Sequence, residues 1–290
     1  MDKNKPPENS PAPDAGGVNP HHEILLAAGL APDGALDVAA VALALAALDY
    51  PDRELAPYAA HLAEIGDAAR AGCADPDHID ARADILAQVI NKKFGYSGDQ
   101  ASYNDMQNAN LMQVIDRRKG LPVALGLLYI IVAQQQGWAC AGLSFPGHFL
   151  IRLELGSTRR ILDPFNGGVK MDIPQLRSLL KGMAGEAAEL LPDYYKPVSN
   201  RDVLLRLLNN IKGRAFQSND FIRSADILQR MRMISPRAAH LSYEHGMVHA
   251  RLGNIPDALD AVRACLEDAD DPKLRQAAEQ LQQQLRLKLN

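Results

Sequence analysis

The chain has 290 residues, 47% apolar and 23% charged, with 31 Lys and Arg against 35 Asp and Glu for a net charge of -4. This is an ordinary soluble composition, long enough for one or two domains with a sizeable core. The charge is spread too evenly for a nucleic-acid footprint, since residues 201–290 carry 14 Lys and Arg against 11 Asp and Glu and the first 200 carry 17 against 24.

Met1-Asp2-Lys3-Asn4-Lys5-Pro6-Pro7 has no apolar stretch behind its positive charge, so no secretory signal is read and the cytoplasm is the expected location. Three distant cysteines, Cys73, Cys140 and Cys265, fit neither a disulfide framework nor a zinc site and suggest a reducing compartment. Residues 1–22 are rich in Pro, Asn, Gly and Asp and are expected to form a disordered leader. His21-His22 at its edge lacks the further ligands a metal needs. From Leu36 the spacing of Ala, Leu and Ile predicts helices over roughly 36–48, 52–72 and 77–94, with Asp37 capping the first. The apolar run Val38 to Leu48 is about half the ~20 residues a membrane span needs, so no membrane association is expected.

Phe94 to Asp99 reads as a loop, and Asn108 to Arg118 as a short amphipathic helix with a basic last turn. Gly120-Leu121-Pro122 then opens an apolar segment closed by Gly137, the expected termini of a helix through the middle of a domain. The positive end of such a helix is where a thiolate would gain most, yet the side chains on offer are Pro122, Val123 and Ala124. From Tyr103 to Ala139 there is no Cys, Ser or Thr.

Phe149 to Leu155 and Arg160-Ile161-Leu162 are strand-like runs flanking the turn signal Gly156-Ser157-Thr158. With Gly156-Ser157 central, residue 148 faces 165. Asp163 is then a same-face diagonal neighbour of His148, about 7 to 8 Å away at Cα. A carboxylate there would fix the imidazole tautomer, as the third member of a Ser or Cys triad does. The same pair would serve equally as a hydrogen bond that ties the hairpin together. Cys140 and Ser144 lie upstream on an extended path, Cys140 more than about 20 Å away unless the chain turns back. A water activated by His148, or a metal held with Asp116, would need further groups that the sequence does not display.

Asp172 caps a predicted helix to about Ala184, and Pro192 to Pro197 reads as a linker. The tail repeats: a shift of 34 residues sets Asn219 to Ser224 on Gly253 to Ala258, Leu207 on Leu241 and Leu228 on Val262. That period is the tetratricopeptide signature, giving units over about 200–235 and 236–270 and a polar capping helix after Pro272.

Ala47-Leu48-Asp49-Tyr50-Pro51, the segment Asn110 to Leu125, Phe145-Pro146-Gly147-His148-Phe149 and Asp163 to Gly168 together resemble the SirB family over about residues 36–270. The resemblance implies an α+β fold: a helix-rich papain- or transglutaminase-like core with a small antiparallel sheet, followed by an all-α tetratricopeptide-like tail. The implied division is 1–22 leader, 23–198 transglutaminase-like domain and 199–290 repeats. His148 and Asp163 match the family's His and Asp. The active superfamily's Cys falls at Pro122 to Ala124, so the pair is expected to be a relic and the chain a noncatalytic adaptor or regulator. Its repeats would dock a protein or peptide, with no cofactor and no metal. The candidate binding residues are Asn110, Arg118, Arg223 and Arg230. The alternative is an amidase, peptidase or acyltransferase that uses His148 and Asp163 without the usual Cys.

Overall fold

The computed structural model describes residues 19–288. The leader expected over 1–22 lies outside the described residues as far as 18, and its last three residues are helical instead. Asn19 accepts from the His21 amide and Pro20 occupies the first turn, which starts α1 (Pro20–Leu30). α2 (Val38–Ala47) is capped by Asp37 as expected. α3 (Ala56–Gly72) begins later than residue 52, because Pro57 belongs in a first turn and would break a helix already under way. α4 (Ile79–Ala87) runs on as a π-helical segment, Gln88–Lys93.

Two short strands, β1 (Ser97–Gly98) and β2 (Lys119–Gly120), pair in parallel on either side of α5 (Leu111–Arg117). α6 (Pro122–Gln135) is buried at every position from Pro122 to Ala133, so it runs through the middle of the molecule, as its apolar circumference predicts. A five-stranded antiparallel sheet packs on it: β3 (Ala139–Leu143), β4 (Ile151–Leu155), β5 (Thr158–Asp163), β6 (Val169–Met171) and β7 (Pro197–Val198), in the order β6-β5-β4-β3-β7. β4 and β5 pair Ile151 with Leu162 and Leu155 with Thr158, the register set by a turn centred on Gly156-Ser157. β4 starts at Ile151 rather than Phe149, leaving 144–150 as the loop that carries His148. The expected linker is partly β7, whose Pro197 sits at a strand start where its missing amide costs no ladder bond.

α7 (Ile173–Ala184) opens on a reciprocal Asp172–Gln175 capping box and covers the outer face of the sheet, with Leu176 and Leu180 against Leu143 and Phe145. Five helices complete the chain: α8 (Asn200–Gln217), α9 (Phe221–Ile234), α10 (Ala239–Leu252), α11 (Ile255–Asp268) and α12 (Pro272–Leu287). One apolar cluster runs from Leu25 of α1 through α2 and α6 to Leu204 and Leu207 of α8 and Leu228 and Met231 of α9, so it passes unbroken across residue 198. A second cluster, with Val262, Cys265 and Leu285, joins α11 to α12.

α1 packs against α9, where a methyl on Gly29 would collide with the Met233 carbonyl. Arg201 seals that junction, giving hydrogen bonds to the carbonyls of Ala28 (2.9 Å), Ala31 (2.6 Å) and Ile234 and an ion pair to Asp33 at 2.8 Å. It thereby satisfies last-turn carbonyls of two helices, where a cation also matches the helix dipoles. No helix among the described residues is long and apolar enough to cross a membrane.

Candidate functional site: a His–Asp pair at the central helix

Phe149 anchors the 144–150 loop on α6, since a methyl on Gly126 would overlap its ring. His148, one residue earlier, reaches Asp163 with Nε2 to Oδ1 at 2.9 Å. Their side chains are 12% and 2% exposed. Asp163 Oδ1 also accepts the amides of Phe165 (3.0 Å) and Asn166 (3.3 Å), and Oδ2 accepts Asn166 Nδ2 at 2.7 Å. Burial alone would raise the Asp163 carboxyl, but the His148 bond, the His148 charge and the Asn166 bonds outweigh it and hold the group below its ordinary range. Nδ1 of His148 has no hydrogen-bond partner among the described residues.

The surroundings of this pair are built from distant parts of the chain, some touching it directly and some through Phe165 or Phe149. Phe165 meets His148 edge to face at 6.2 Å, and Tyr103 meets Phe165 at 5.9 Å. Arg206 of α8 donates to the carbonyls of His148 (2.8 Å) and Phe145 (3.3 Å) and stacks over Phe149 at 5.3 Å. Gly98 of β1 gives its amide to the Phe165 carbonyl at 3.2 Å and pairs with Gly120, two residues before α6. Gly126 faces Phe149, so the positions one turn earlier on the same side of α6 are Pro122 and Val123. Both are buried, as is Ala124, and none bears a nucleophilic atom. Cys140 sits mid-strand opposite Leu153, and burial pushes its thiol up to about 12, so it forms no thiolate near neutral pH.

The other four candidate residues are elsewhere. Asn110 caps α5 through Oδ1 and donates Nδ2 to the Ala46 carbonyl at 3.0 Å. Arg118 ends α5 in the left-handed region (φ 58°), stacks on Tyr96 at 4.8 Å and bonds its hydroxyl and His61. Arg223 and Arg230, expected on the exposed surface of the tail, close instead on Asp49 at 2.7 and 2.6 Å, with Arg230 only 5% exposed. A guanidinium on a polar helix face was readable; that its carboxylate lies 174 or 181 residues away was not. Arg206 and Tyr103 also went unread, because each acts through a partner distant in sequence.

A second polar group sits in the tail. Arg232 donates to His245 Nδ1 at 2.8 Å, so His245 carries its proton on Nε2 and gives it to His249 Nε2 at 3.0 Å. Burial, then His249 and Arg232, lowers the His245 pKa from 6.5 to about 3. The unfolded imidazole therefore binds a proton near pH 6.5 that the folded one refuses, and stability falls as pH drops from there toward 3. His245→Gln should flatten that limb of a midpoint-against-pH curve. An unchanged slope would show that the depression is absent.

An apolar helix laid through a helical half and against an antiparallel sheet, with a His–Asp pair on the loop and strand that pack on it, defines a transglutaminase-like protein. The family profile described as transglutaminase-like superfamily matches residues 56–209, and the chain belongs to that superfamily. The UPF0162 protein of Xylella fastidiosa is 29% identical over 238 residues, covering 81% of this chain and 85% of that protein. A UPF0162 protein of Vibrio cholerae is 36% identical over 134 residues, 46% and 49% of the two chains. Mouse F-box only protein 21 is 34% identical over 83 residues, 29% of this chain and 13% of that one. No solved structure matches the chain.

Proposed function

We infer that the chain is a noncatalytic transglutaminase-like protein, akin to the SirB family, whose tetratricopeptide-like tail docks a protein or peptide in the cytoplasm as an adaptor or regulator. The observation that carries this reading is the first turn of α6: beside a formed His148–Asp163 pair it offers only Pro122, Val123 and Ala124. A general base acts by taking the proton of a nucleophile held within hydrogen-bond reach, and covalent catalysis needs that nucleophile to be a side chain of the protein. The repeat reading is supported by α9 and α11, which start 34 residues apart at Phe221 and Ile255 and end 34 apart at Ile234 and Asp268. Ile222 and Met247 leave large apolar side chains 75% and 41% exposed on that tail.

The purified chain is expected to show no turnover of peptide, ester or amine-transfer substrates that His148→Ala abolishes. Turnover that falls about a hundredfold or more in His148→Ala would establish the enzyme reading instead. A docked protein should survive His148→Ala and be lost on Met247→Glu; the reverse pattern would place docking at the His–Asp cleft.

A further inference from the structure

The sheet has a second face, and it holds a cavity of about 860 Å³. Ile151 lies against Gly126 of α6, so Arg152, next along β4, points to the opposite side. Register then lines up Arg152, Ile161 and Met171 across β4, β5 and β6. The first turns of α7, with Ile173 and Leu176, and the short helical turn Pro192–Tyr195 form the walls. None of the lining residues belongs to the His148–Asp163 site.

The polar groups of this cavity are not all satisfied. Arg152 is 8% exposed, donates Nη1 to the Tyr195 carbonyl at 2.7 Å and pairs through Nη2 with Glu154, while its enclosed Nε has no partner. A buried N–H without an acceptor is rare in folded proteins because it loses water and gains nothing. At the rim, Arg160 and Lys170 are committed to Asp80 and Asp84. Arg159 beside them is exposed and has no ion-pair partner among the described residues. The carboxylate of Asp172 is occupied by its cap of α7. The remaining lining, Ile161, Met171, Ile173, Leu176 and Pro192, is apolar, and Ile173 is 54% exposed. The volume lies in the range of small-molecule sites, about 300 to 1,000 Å³, which pair an apolar lining with a few placed polar groups.

The geometry points to a binding site for a small amphipathic carboxylate, with an acyl or aryl body against Ile161, Met171 and Leu176 and the carboxylate turned to Arg159 and the Arg152 guanidinium. A cation could not accept from the Arg152 Nε–H and would meet the unpaired Arg159 guanidinium, and a bare inorganic anion would leave the apolar walls wet. The unengaged planar fork of Arg159 suits a carboxylate geometrically as well as electrostatically, and Arg152 adds the single Nε–H that its other bonds leave over.

The test is calorimetric titration of the full chain with decanoate and 4-phenylbutyrate, using decanol and decyltrimethylammonium as neutral and cationic controls. Both carboxylates should bind and compete with one another, and both controls should fail. Arg159→Glu should weaken decanoate about tenfold or more, and Arg159→Gln, which sets no like charge opposite Glu154 and is expected to keep the wild-type unfolding midpoint, should weaken it in the same direction. Met171→Trp should block it by filling the cavity. Arg152→Met removes a buried group and is informative only if its midpoint is retained, which is why the two Arg159 variants carry the test. Absence of carboxylate binding, equal binding of decanol, or wild-type affinity in Arg159→Glu would each overturn the assignment.

Discussion

Asp49→Ala is expected to lower the unfolding free energy by about 3 kcal/mol, because it strips a common counter-ion from two guanidinium groups at once. Asp49 follows the C-terminal end of α2, where the helix dipole disfavours a carboxylate, and it is kept there by Arg223 and Arg230 of α9. Arg230 has little access to water, so without Asp49 only Asp226 and the Leu45 carbonyl remain to it. Burial works against the charged form of Asp49, and the Arg223 bond and the Arg230 charge overcome it, leaving the carboxyl below its ordinary 3.8. A depressed carboxylate contributes fully above the unfolded value, and the contribution is lost as pH falls through the folded one. The loss in Asp49→Ala should therefore be largest near neutral pH and shrink below about pH 3.8. Urea midpoints at both ends of that range check it, with an unchanged slope showing that only stability moved. A loss under about 1 kcal/mol at pH 7 would mean that the pairs merely offset their desolvation.

Asp163→Ala should cost about 2 to 3 kcal/mol, against about 1 kcal/mol for His148→Ala. The asymmetry follows from the bonding: three of the four hydrogen bonds to Asp163 come from its own turn, at Phe165 and Asn166, and one from His148. Removing the carboxylate leaves two amides, a side-chain amide and an imidazole without their acceptor in a nearly closed site. Removing the imidazole leaves the turn intact. Asp163→Asn should fall between the two, since its carbonyl can still accept from the turn. Thermal melts of the three variants decide it. Equal losses in Asp163→Ala and His148→Ala would instead make the pair the main bond, as a working base and its orienting carboxylate require.

How much of this was legible depended on the distance over which each residue acts. The hairpin register could be read because a glycine turn fixes it and alternation propagates it, so His148 and Asp163 came together correctly from a dozen residues of sequence. α6 was legible because an all-apolar run with proline before it and glycine after it has few other solutions. β7 was not, since two residues carry no period. Arg223 and Arg230 were assigned to the wrong environment because a helical pattern tells which side of α9 is polar, and not that Asp49 waits opposite. Arg152 alternates with the apolar side chains of β4 as any solvent-facing residue would, and only the packed α7 and the turn at Tyr195 reveal what its guanidinium lacks.

The seal made by Arg201 between α1 and α9 has a consequence for the order of events during synthesis. Residues 20–30 leave the ribosome about 200 residues ahead of α9, which packs on them in the finished fold, and at the usual 5 to 20 residues per second that means a wait of roughly 10 to 40 s. Over that interval Leu25 and Ala28 have α2 to pack on but lack the α9 side that completes their burial. α1 is thus made well before the helix that shuts it in, and the nascent chain carries an open apolar stripe there until α9 arrives.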